Sequence, residues 1–143
     1  MLGLDQLRRW LSLLAMANSD APLELMRSLL VRARGCELFA IKNDLNAPGS
    51  FFMVGLLSGI DAVLGGDLAE LVDALPLTDE VAEALKFQTG IRGQCLKIFI
   101  LFEQADWTSL DLFCPDPMTY NACYLEALGW TDSLVGELRS VTG

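Results

Sequence analysis

Apolar residues recur at helical spacing along most of this chain, and the alternation expected of strands is nearly absent. Leu4, Leu7, Leu11 and Leu14 share one face, so the pattern predicts a first helix from Leu4 to Ala17. Asn18, Ser19 and Asp20 break it, and Asp20 is placed to cap a second helix with Pro22 in its first turn. That helix spans about Pro22 to Lys42, with Leu25, Met26, Leu29, Leu30, Ala33, Cys36 and Ala40 as its stripe. Glu37 falls at the edge of the stripe and reads as a border carboxylate paired with a nearby arginine. Asn43 to Ser50 reads as a loop. A single helix from Phe51 to Leu64 follows, apolar almost all round and therefore expected to be the most buried. Gly55 and Gly59 lie four apart on it and would let a neighbouring helix approach closely, and Gly65 and Gly66 end it.

The remaining elements are shorter. Leu68 to Ala74 forms a helix that Pro76 terminates. Thr78 caps the next, with Asp79 and Glu80 in its first turn, where the helix dipole favours anions. A buried helix runs from about Arg92 to Gln104. Asp106 and Trp107 open a helix that stops at Cys114 and Pro115, and Asp116 caps the last one with Pro117 at its first position. About eight helices with short connections, and no internal repeat, predict one all-α, compact multi-helix domain over residues 1–143.

Composition narrows the chemistry. The 143 residues are 52% hydrophobic and carry a formal charge of −9, which disfavours nucleic acid and anionic lipid as partners. The early arginines Arg8, Arg9, Arg27, Arg32 and Arg34 read as solvated helix faces. The N-terminal residues lack a secretory pattern, and the apolar run Phe51 to Ile60 is too short to insert in a membrane; a cytoplasmic chain is expected. Cys36, Cys95, Cys114 and Cys123 form no CxxC pair and read as reduced core thiols.

There is no histidine, which removes Ser-His-Asp and Cys-His catalysis and any histidine-containing zinc site. Gly90-Ile91-Arg92-Gly93 is not a phosphate loop, and no EF-hand loop is present. Asp67, Glu70 and Asp73 lie on one side of a short helix and read as solvated carboxylates rather than metal ligands.

The run Phe52-Met53-Val54-Gly55-Leu56-Leu57-Ser58-Gly59-Ile60-Asp61 resembles the central helix of the HD superfamily, apolar-apolar-x-Gly-Leu-Leu-His-Asp-Ile-Gly. In that superfamily the His-Asp pair ligates metal for phosphohydrolase chemistry; here its positions fall on Ser58 and Gly59, which cannot replace it. The chain is more similar to the HD-related output domain (HDOD) family, in the version that follows an EAL domain in cyclic di-GMP signalling proteins. Carrying this are Leu7-Arg8-Arg9-Trp10-Leu11, Leu30-Val31-Arg32-Ala33-Arg34-Gly35-Cys36-Glu37, Leu75-Pro76-Leu77-Thr78-Asp79-Glu80, Glu103-Gln104-Ala105-Asp106-Trp107 and Tyr124-Leu125-Glu126-Ala127-Leu128-Gly129-Trp130, in order along the chain. The family's domain begins with helices upstream of Leu7-Arg8-Arg9-Trp10, so a truncated or naturally short form is expected; a truncated one would expose apolar surface that favours homo-oligomers.

The resemblance implies a degenerate, non-catalytic domain without cofactor, metal or catalytic residues. It would act through a protein partner, an EAL-type or other signalling domain in the same or another polypeptide. Two alternatives are weighed. One is a nucleotide sensor using the vestigial pocket, with Arg32 and Arg34 clamping phosphate. Against it, the two arginines are expected to pair with Glu37 and Glu24 on the helix surface. The other is a phosphohydrolase using carboxylates alone, which Ser58 and Gly59 disfavour.

Overall fold

The computed structural model describes residues 23–142, within which every regular element is an α-helix. The first predicted helix, Leu4 to Ala17, lies outside the described residues. Eight helices follow: α1 (Leu23–Lys42), α2 (Pro48–Leu57), α3 (Ile60–Leu64), α4 (Leu68–Asp73), α5 (Asp79–Phe87), α6 (Gly90–Glu103), α7 (Trp107–Phe113) and α8 (Pro117–Thr142). The all-α prediction holds.

Polar side chains set four of the helix starts. Asp67, Thr78 and Asp106 each accept a hydrogen bond from the backbone N–H three residues on, at Glu70, Val81 and Ser109. Asp116 does the same for the Thr119 N–H and also accepts from its hydroxyl. Each such cap satisfies a donor the first turn leaves orphaned, and its loss costs about 1 kcal/mol.

Two boundaries differ from the sequence reading. α2 begins at Pro48 rather than Phe51, because proline at the start of a helix gives up no needed N–H. The helix expected from Phe51 to Leu64 is also two helices. Ser58 Oγ donates to the Gly55 carbonyl at 2.7 Å, and Gly59 follows with φ −124° and ψ 21°. A hydroxyl bonding back to the preceding turn and a glycine of low helix propensity end α2 together. α3 restarts at Ile60 and stops where Gly65 takes φ 79°, a conformation that favours glycine.

α1 is the hub of the packing. It contacts α2, α6 and α8, and from Leu29 to Ala40 it is buried almost all round. The sequence reading gave that place to the helix after it; α2 is indeed buried, but it packs against α1, α5 and α6. An ideal Cβ on Gly55 would lie 2.5 Å from the Ala33 backbone, so glycine is what lets α1 and α2 touch backbone to backbone. One core region joins α1, α6 and α8 through Phe39, Phe99, Phe102 and Tyr120, with Phe39 and Tyr120 stacked at 4.2 Å. A second joins α1 to the α2–α5 segment through Leu29, Val54, Leu57, Val63, Val81 and Leu85.

Candidate functional site

Three elements converge on Arg32. It leaves α1 beside the α2–α3 break and reaches the last residue of α6. Its Nε donates to Glu103 Oε2 at 2.7 Å and its Nη2 to Oε1 at 3.1 Å. This two-pronged pairing matches the planar fork of a guanidinium to a carboxylate. Its Nη1 donates to Ser58 Oγ at 3.2 Å, while that hydroxyl donates onward to the Gly55 carbonyl. Both charged side chains are largely sheltered, with 17% and 27% of their surfaces exposed. The close approach at Gly55 is what brings the root of Arg32 near Ser58.

Ser58 and Gly59 thus sit at the junction the sequence singled out, but a permanent cation already occupies the polar side of it. Gly59 faces the core: an ideal Cβ there would meet Leu29 Cδ2 at 2.6 Å.

Arg34 goes elsewhere. It pairs with Glu37, three residues on, and lies 5.5 Å from the centre of the Trp130 ring on α8. Glu37 is 3% exposed, so the border carboxylate is fully inside and its arginine partner was read correctly. Of the carboxylates expected to pair with the two arginines, Glu37 holds Arg34, while Arg32 pairs with Glu103 and not with Glu24. Residues eight apart on a helix are separated by about 12 Å of rise, too far for direct contact. Nor do Arg32 and Arg34 form a joint clamp, because side chains two apart on a helix diverge. Each already holds a carboxylate.

A cavity of about 250 Å³ lies beside this network, lined in part by Glu24, Arg27, Glu103 and Tyr124. Its arginine, Arg27, is paired with Asp132 of α8. Two carboxylates against one paired arginine make an unfavourable lining for a phosphate. Burial, and then the Glu103 carboxylate, raise the Tyr124 hydroxyl above its ordinary value.

Among the described residues no group of three or more His, Cys, Asp or Glu side chains is placed to hold a metal ion. Asp67 caps α4 and Asp73 pairs with Lys86, so two of the three carboxylates are occupied separately. All four cysteines are free thiols, and Cys36, Cys95 and Cys123 are buried in the same core region as Tyr120. Burial pushes Cys123 up to about 11 and raises Cys95 well above its ordinary value, a hydrogen bond with Cys36 adding to the latter. Tyr120 is raised by the same burial.

The sign of the pH dependence follows. The fold holds these groups neutral, while the unfolded chain ionises a thiol from its ordinary value of 9.0. Their contribution is complete below that pH and is lost as pH rises toward about 11. The urea midpoint is expected to stay level from pH 7 to 8.5 and to fall between pH 9 and 11, less steeply in Cys123→Ala. A midpoint unchanged to pH 11 would mean that these groups titrate alike in both states.

Sequence reasoning missed Glu103 as the partner of Arg32. The available signal was a lone carboxylate closing the apolar run Ile98-Phe99-Ile100-Leu101-Phe102. No helix among the described residues is long and apolar enough to cross a membrane.

No family model matches the chain, and no solved structure matches it. Two curated proteins are similar. The uncharacterized protein YuxH of Bacillus subtilis (strain 168) is 32% identical over 142 residues, covering 94% of this chain and 35% of the relative. The cyclic di-GMP phosphodiesterase CdgJ of Vibrio cholerae serotype O1 is 36% identical over 116 residues, covering 79% of this chain and 27% of the relative. The chain therefore spans about a third of the length of the curated relatives it matches.

Proposed function

We propose that this chain is a non-catalytic regulatory domain of cyclic di-GMP signalling, of the HDOD type, acting by contact with another protein domain in the cytoplasm. The observation that carries the reading is the guanidinium of Arg32, fixed between Ser58 and Glu103 at the junction where the HD pattern would place metal ligands. A fixed cation repels a divalent metal, serine is a poor neutral ligand and glycine offers none. The similarity to CdgJ, named as a cyclic di-GMP phosphodiesterase, supports the signalling context.

The favoured partner is an EAL-type phosphodiesterase domain, in the same or a separate polypeptide. Apolar area on α7 and the start of α8, including Trp107, Leu112 and Met118, is exposed and of the kind a protein partner covers. Regulation requires this domain to bind two states of its partner unequally, which for typical couplings changes activity about fivefold or more.

The test is cyclic di-GMP hydrolysis by a separately purified EAL module, with and without added chain. A saturable change in rate, with the chain alone inert and free of bound manganese or iron, is the expected result. An unchanged rate would sink the EAL partnership. Stoichiometric metal together with hydrolysis by the chain alone would sink the non-catalytic reading.

A further inference from the structure

A groove of about 360 Å³ runs between α4 and α5, on a part of the molecule that the Arg32 network does not reach. Its lining combines the apolar side chains of Val72, Leu77 and Ala82 with polar groups. Its rim carries Asp73, Asp79 and Glu83, all exposed, and Phe87, whose ring is 67% exposed. Between Asp67 and Lys86 the sequence has six carboxylates and a single cation, Lys86. That lysine pairs with Asp73 and so ties α5 to α4 across the groove.

The rest of the chain shows what its aromatic rings accept. Arg34 lies over Trp130, Arg92 over Phe51 at 4.8 Å and Lys97 over Phe113 at 4.4 Å. Among the described residues no cation covers Phe87. An exposed aromatic face beside several carboxylates is a place for a cationic side chain, and guanidinium suits it best because it stacks flat while bonding carboxylate oxygens. The apolar side chains in the lining require more than a free cation to cover them. The acidic rim turns away phosphates and anionic membrane surfaces.

We propose that the α4–α5 groove docks an arginine-bearing apolar segment of a partner protein. The guanidinium lies on Phe87 against Glu83, with Asp79 further along the same rim, and a neighbouring apolar side chain lies on Leu77 and Ala82. Lys86 competes with the incoming cation for Asp73. The inference deepens the regulatory reading and rests on it for the existence of a partner. The test uses no EAL module, so failure of one is distinguishable from failure of the other.

The experiment is a titration of the isotope-labelled full chain with acetyl-Leu-Arg-Leu-amide, followed by amide chemical shifts. Acetyl-Leu-Glu-Leu-amide and arginine amide serve as controls. Saturable shifts are expected over residues 72–87 with the arginine tripeptide alone. Asp79→Asn with Glu83→Gln should weaken binding about threefold or more, and Lys86→Ala should tighten it about threefold, in the range of an exposed ion pair. The gain in Lys86→Ala cannot arise from damaged folding. Equal binding of the glutamate tripeptide or of arginine amide would overturn the proposal. So would shifts centred elsewhere, no shifts at all, or weaker binding by Lys86→Ala.

Discussion

Gly55→Ala is expected to lower the unfolding free energy by about 2 to 3 kcal/mol, as overpacking of a well-filled contact does. The added Cβ would lie 2.5 Å from Ala33 Cα and N and 2.6 Å from the Arg32 carbonyl carbon. These are backbone atoms, so no rotamer change relieves the overlap, and α1 and α2 must move apart. Alanine's better helix propensity returns about 1 kcal/mol of the cost, which is why the loss is not larger. The separation also draws Arg32 away from Ser58. Urea denaturation of the two proteins measures the difference. A variant as stable as the parent would show that the two helices do not pack backbone to backbone at this point.

Phe99→Ala is expected to cost more, about 3 to 5 kcal/mol, the range for emptying an aromatic site in a core. Phe99 is 1% exposed and meets Tyr120 edge-on at 5.5 Å and Phe102 at 6.4 Å. Its ring also fills the space above Gly35, where an added Cβ would come within 2.9 Å of it. Because α1, α6 and α8 all meet there, the site has no single wall that can collapse inward. Domains of this size are stable by about 5 to 15 kcal/mol, so the variant should unfold at a much lower urea concentration and lose its near-ultraviolet aromatic signal early. Phe99→Leu should retain more than half of the lost stability. Equal losses in both variants would contradict a volume effect.

Local information in the sequence predicted local structure well. The caps Thr78, Asp106 and Asp116 stand where expected because side-chain capping is decided within three residues. The Arg34 and Glu37 pair was legible for the same reason, being three apart on one helix. Gly55 as a point of close approach was legible from spacing alone. The break after Leu57 was not, since an apolar run reads as one helix whether or not a serine hydroxyl turns back on its carbonyl. The Arg32 partner was illegible on different grounds: Glu103 is 71 residues away, and only the packing of α1 on α6 brings them together. For Ser58 and Gly59 the sequence shows only the residue types, while the fold shows that Arg32 and Leu29 are their neighbours.

Gly59 limits what this junction can hold. A side chain at this position would press on Leu29, which is 1% exposed and fixed within the second core region. Placing an aspartate there would drive a charge into packed hydrocarbon. Gly59→Asp is therefore expected to lower stability. An acidic side chain at position 59 would thus have to displace Leu29 before it could meet any other group.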